Sequence, residues 1–164
     1  MNIPEKNADT RQESGLRIVR QFEVAPALVF DALTSPEAMR AWWTDDTAFE
    51  IDLRVGGSWT ITRKEGDMAL EMTGEYLEIE KPNWLKYTIG MPQFSPNRDI
   101  VAIRITPDEK GGSMVVFEQT GVDIAAELQE LSEGSISESE KGWQQGFDLM
   151  AAAWEKGGKG VSAS

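Results

Sequence analysis

The chain has 164 residues with no cysteine and no histidine, and its 28 acidic residues against 16 basic ones give a formal charge of −12. Disulfides and thiol chemistry are excluded, and the commonest general base and metal ligand is missing; with zinc left to carboxylates alone, no metal and no cofactor is expected. A field of this sign repels phosphate backbones and anionic bilayers, so nucleic acid is not an expected partner, and the length suits one domain.

Met1 to Ser14 are polar and lack the apolar stretch of a signal peptide, so residues 1–14 read as a disordered polar leader and the location as cytoplasmic. From Leu16 to Val24 the chain alternates, with Leu16, Ile18, Phe22 and Val24 on one face, interrupted by Arg20; this is a half-buried strand. Pro26 suits the first turn of a helix that carries Leu28, Val29, Ala32 and Leu33. Ser35-Pro36 starts a second short helix, with Ser35 as cap and Met39, Trp42 and Trp43 on one side.

Strands follow. Phe49, Ile51 and Leu53 alternate with charged residues, Gly56-Gly57 turns, and Trp59, Ile61 and Arg63 open the next strand. Glu65-Gly66-Asp67 turns into a long stretch, Met68 to Glu80, in which the isolated Gly74 signals a bulge or a close backbone approach. Trp84 to Met91 is a strand, 92–97 a loop, and Ile100 to Thr106 with Met114 to Thr120 a hairpin. Asp123 to Leu131 fits a short amphipathic helix. Ser137-Glu138-Ser139-Glu140 is a capping box, so a long helix is expected from there to about Lys156, its apolar stripe being Trp143, Phe147, Met150 and Trp154. Residues 157–164, opening on Gly157-Gly158, read as a flexible tail.

Residues 15–156 thus form one α+β domain. A curved antiparallel sheet of about six to seven strands wraps around a long C-terminal helix, with two short helices after the first strand. No apolar run approaches the ~20 residues that span a bilayer, so membrane insertion is not expected.

The motifs Ala25-Pro26-x-x-Val29-Phe30-x-Ala32-Leu33-Thr34, Pro36-Glu37, Trp42-Trp43, Arg54-x-Gly56-Gly57-x-Trp59, Gly74-Glu75-Tyr76-Leu77-Glu78-Ile79-x-x-Pro82 and Gly142-Trp143 follow one another in this order. Together they resemble the Hsp90-ATPase-activator-homologue family of the START/Bet v 1-like helix-grip superfamily. The resemblance implies a cavity between sheet and long helix, used in many relatives for apolar ligands. It also implies that 124–131, where relatives vary in length, gates the cavity mouth.

Phe30, Trp42, Trp43, Trp59, Tyr87, Phe117, Trp143 and Phe147, with Met72 and Met150 as adaptable filling, are the candidate lining of such a pocket. Any one of them is also an ordinary core residue. Gly142 and Gly146 each weaken a helix by roughly 1 kcal/mol against alanine, which points to a close approach on that helix, to the sheet or to a ligand. Glu75, Tyr76 and Arg104 are candidate polar anchors. Among the strand carboxylates Glu50, Asp52, Glu71, Glu75 and Glu118, an inward pair would do acid–base work, whereas an outward set is plain surface. Arg20 and Arg104 are the inward candidates to pair with one.

The expected function is binding of a small apolar or amphipathic molecule by a non-catalytic carrier or sensor, with no catalytic residue assigned. Two alternatives stand beside it: a cyclase- or aromatase-like enzyme using a cavity carboxylate or tyrosine, and a module that contacts an Hsp90-type chaperone. Edge strands of such a sheet also offer pairing into a homodimer.

Overall fold

Period-two alternation becomes one antiparallel sheet. A computed structural model describes residues 15–155; the expected leader and tail lie outside the described residues. The strands are β1 (Gly15–Phe22), β2 (Ala48–Ile51), β3 (Ser58–Glu65), β4 (Met68–Glu80), β5 (Trp84–Ile89), β6 (Asp99–Pro107) and β7 (Ser113–Thr120). They lie in the order β1-β7-β6-β5-β4-β3-β2, so the two edges are the first two strands in sequence. Between them run the short helices α1 (Pro26–Thr34) and α2 (Pro36–Met39), and after β7 come α3 (Val122–Gln129) and the long α4 (Glu138–Ala153). This is the α+β helix-grip arrangement.

Several boundaries differ from the sequence reading for local reasons. Leu53 falls beyond β2 and is exposed, because Asp52 N–H bonds Ser58 O and Arg54 N–H bonds Asp52 O in a tight turn. β5 stops at Ile89, and Gly90 keeps only an isolated bridge to Thr73. Ser35 stands at the start of α2 without a side-chain cap bond, whereas Ser137 caps α4 by accepting from Glu140 N–H at 3.0 Å. A bulge between Tyr76 and Glu78 bends β4 against β5.

Register places the inward residues in rows. Ile18, Phe117, Ile103 and Leu85 are successive partners across β1, β7, β6 and β5; Leu16, Gln119, Val101, Tyr87 and Tyr76 form the next row. All of these but Gln119 belong to the buried apolar core. Gln119 is the exception, and it explains how the helices dock. Its Oε1 accepts from the Trp143 indole N–H of α4 at 3.0 Å, and its Nε2 donates to Asp99 Oδ2 of β6 at 3.0 Å. The same Asp99 carboxylate accepts from the first amides of α3, Ile124 N–H at 3.0 Å and Asp123 N–H at 3.3 Å. These amides have no partner inside the helix, and a carboxylate at a helix start also meets the positive end of its dipole. Gly121 makes the approach possible: its φ is +142°, and a Cβ there would lie 2.0 Å from Asp99 Oδ1. Glu127 of α3 then accepts from Ser139 N–H and Ser139 Oγ, each at 2.8 Å, tying α3 to the first turn of α4.

One buried polar chain therefore joins β6, β7, α3 and α4. Removing its central acceptor leaves buried donors without partners, at roughly 1–3 kcal/mol. Asp99→Ala is expected to lower the melting temperature by about 2–12 °C, at the 2–4 °C per kcal/mol usual for a chain of this size. Glu75→Ala, at an exposed strand position, should stay within about 0.5 kcal/mol of the parent. Thermal unfolding followed by circular dichroism measures both.

Candidate functional site

The inner face of the sheet is divided in two. Over β1 and β7 it is closed by α4, and over β6 by α1 and α3. Phe147 and Met150 are buried under that helix, and Phe30 is buried on α1. The Phe117 and Trp143 rings are 4.3 Å apart, Phe117 and Phe147 6.0 Å, and Phe22 and Phe147 6.0 Å. Arg20, inward on β1, reaches α4: its guanidinium bonds Gln144 Oε1 at 2.8 Å and Asp148 Oδ1 at 2.9 Å, and lies over Phe22 and Phe147. Five of the candidate lining residues, Phe30, Phe117, Trp143, Phe147 and Met150, thus pack in the sealed half.

Over β2, β3, β4 and β5 the face is less covered. Phe49 and Ile51 of β2, Met72 of β4 and Ile89 of β5 are only half-buried, although they pack on the core. Trp59, Tyr76 and Tyr87 are buried among them, with Trp59 and Tyr87 rings at 5.4 Å and Tyr76 and Tyr87 rings at 6.2 Å, both edge-on. Gly74 permits the cluster: it is the partner of Trp59 in the sheet, and a Cβ there would meet Trp59 Nε1 at 2.7 Å and Thr88 O at 1.7 Å.

Trp42 and Trp43 span from the long helix to the far edge of the sheet. The Trp42 ring lies 3.1 Å from where a Gly146 Cβ would stand, and its Nε1 donates to Ala32 O at 3.0 Å. The Trp43 ring is tilted against Trp42 at 5.2 Å and meets Phe49 edge-on at 6.1 Å. Gly146 therefore serves a close approach by Trp42, while Gly142 has nothing within 4 Å. An open groove of about 460 Å³ runs outside this pair, lined by residues 41–44 together with Leu149, Ala152 and Ala153 of α4.

Two polar atoms in this region lack partners. The indole Nε1 atoms of Trp43 and Trp59 are buried and have no acceptor. Burial pushes the Tyr87 hydroxyl well above the usual phenol range, and Tyr76 beside it adds to the rise. Tyr76 is raised first by burial and then by the charge of Asp52. The wing thus presents neutral donors on aromatic walls.

The other candidate anchors stand elsewhere. Glu75 and Arg104 are exposed on the outer face, where Arg104 lies 4.6 Å over the Trp84 ring. Glu50, Asp52, Glu71 and Glu118 are exposed as well, so the strand carboxylates form a surface rather than an acid–base pair. Among the described residues no group of three or more acidic side chains is placed to hold a metal ion, and no helix is long and apolar enough to cross a membrane.

The model of the family described as activator of Hsp90 ATPase homolog 1-like protein matches residues 23–155. The chain belongs to this family. Solved structures similar to this family member share its fold. A Chromobacterium violaceum protein is 23% identical with a TM-score of 0.67, covering 85% of this chain and 96% of its own. A Rhodobacter sphaeroides protein is 15% identical with a TM-score of 0.71, covering 88% and 95%. An Hsp90 activator from Plasmodium falciparum is 20% identical with a TM-score of 0.63, covering 80% and 89%. No curated protein matches the sequence.

Sequence reasoning passed over Asp99, Gln119 and Gly121. Gln119 carried a readable signal: it continues the inward series Val115, Phe117 with a polar side chain. Asp99 carried none, since the donors it accepts from come from residues 20 and more positions away.

The chain has two tyrosines, and both are held neutral. A phenol raised in the folded state keeps its proton after the unfolded chain has lost its own. Stability is therefore full below about pH 10 and falls as pH rises above it. Tyrosinate absorbance is expected to stay silent through about pH 10 and then to appear together with unfolding. In Tyr76→Phe/Tyr87→Phe the alkaline loss of stability should be shallower.

Proposed function

We propose that this protein binds a small apolar or amphipathic molecule against the β2–β5 wing of the inner face, as a non-catalytic carrier or sensor. The observation that carries the reading is the Trp59 indole N–H: buried, without an acceptor, and set beside Tyr87 among the half-buried Phe49, Ile51, Met72 and Ile89. A buried donor left without a partner is costly and calls for a reason, and a bound acceptor supplies one. Aromatic walls with a few convergent polar groups are also what small-molecule sites are built from. The half-buried Met72 adds an adaptable side chain. Trp43, whose Nε1 is likewise unpaired, stands between the wing and the open groove and marks the way in.

A second reading, contact with an Hsp90-type chaperone, follows from the family's description and from what the Plasmodium falciparum neighbour is called. It concerns the surface, so co-precipitation with such a chaperone should be indifferent to changes at Trp59.

The fluorophore Prodan, an apolar naphthalene bearing a ketone, tests the first reading. Its emission should shift to the blue and saturate with the protein. Trp59→Phe, which keeps an aromatic ring and deletes the N–H, should weaken binding about tenfold, equivalent to ~1.4 kcal/mol. No saturable shift, or equal affinity in the variant, contradicts the reading.

A further inference from the structure

The inner face of β3 does not end in an apolar residue. Trp59 and Ile61 are buried there, and Arg63 takes the next inward position, half-buried, with no shift of register between β3 and β4 to turn it away. Its partner on β4 is Leu70, while Met72 stands opposite Ile61. On the other side Phe49 of β2 is the partner of Ile61, and the Arg40 guanidinium lies over the Phe49 ring, 5.4 Å from its centre. Two cations from separate parts of the chain therefore reach the same end of the wing, in a protein where acidic residues outnumber basic ones. Glu50 and Glu71 take the opposite parity on β2 and β4 and are exposed.

Half-burying a guanidinium strips part of its water, and an anion held by hydrogen bonds recovers that cost. Arg63 stands four residues from Trp59, about 13 Å by the rise of a strand. Ile61, with Phe49 and Met72 on either side, is the apolar floor between them. The lane thus has a neutral donor at one end and cations at the other. Resting on the binding reading above, we propose that its ligand is an amphiphile with a carboxylate head: the head at Arg63 and Arg40, the apolar body on Ile61, Phe49 and Met72, and an uncharged oxygen at the Trp59 N–H. The planar fork of an arginine holds a carboxylate through two parallel hydrogen bonds, so Arg63 also sets which way round the ligand lies. The net charge of −12 opposes an anion only at long range, since physiological salt screens beyond about 8 Å. Within the lane the guanidiniums decide.

Two probes of one skeleton test this by equilibrium dialysis against the full chain at neutral pH: 2-acetonaphthone, and 6-acetyl-2-naphthoate, which adds a carboxylate at the far end of the ring system. The added carboxylate is expected to tighten binding about tenfold. That gain should fall below about threefold in Arg63→Gln, while the affinity for 2-acetonaphthone, which also reports that the variant is folded, stays at the parent value. Arg40→Gln should lose a smaller part of the gain. If the carboxylate binds no more tightly than the ketone, the inference is overturned and the binding site stands. A gain that survives intact in both arginine variants overturns the placing of the head. Failure of both probes to bind removes the binding reading and this inference with it.

Discussion

The buried chain from the Trp143 indole through Gln119 to Asp99 and the first amides of α3 is the constraint on which the rest of the molecule depends. Apolar packing alone would let a helix slide over a sheet, since hydrophobic burial has no direction. Hydrogen bonds between neutral and charged buried groups do have direction, and leaving any member unpaired is costly. The chain therefore fixes where α4 lies. It sits over β1 and β7, with Phe147 between Phe22 and Phe117 and with Arg20 clamped to Gln144 and Asp148.

A helix fixed over one half of a seven-stranded sheet cannot cover the other half. That is left to Trp42 and Trp43, which bridge from Gly146 of α4 to Phe49 of β2. The bridge is incomplete, as the half-buried Phe49, Ile51 and Met72 show. Two glycines set its geometry: Gly146 admits the Trp42 ring to the helix, and Gly74 admits the Trp59 indole to the sheet. The candidate site is thus a by-product of docking. The helix seals what it reaches, and the aromatic residues beyond it line what remains. Their donors are neutral because burial holds both phenols protonated.

Much of this was legible in the chain. Alternation located the strands, the Ser137 box located the start of α4, and Gly74 and Gly146 both announced close approaches that the structure contains. Arg20 was correctly on the inward face of β1, though its partner is Asp148 on the long helix rather than a strand carboxylate. What periodicity could not supply was the division of the inner face. Trp59 and Trp143 look alike in sequence, each within two residues of a preceding glycine. Only the tertiary arrangement gives Trp143 an acceptor in Gln119 and leaves Trp59 with none. Glu75 was ambiguous for a physical reason as well, since a glycine neighbour removes the side chain that would have marked which face is which.

The six tryptophans supply the most direct measurement. In a nitrogen–proton correlation spectrum each indole N–H gives its own signal. Trp42, Trp84 and Trp143 donate to Ala32 O, Glu78 Oε1 and Gln119 Oε1, whereas Trp43 and Trp59 donate to nothing. On titration with 2-acetonaphthone the Trp59 and Trp43 signals should move and saturate together while those of Trp84 and Trp143 hold still. Movement of Trp143 with Trp59 stationary would place any ligand in the half that α4 is said to seal, and would contradict the account.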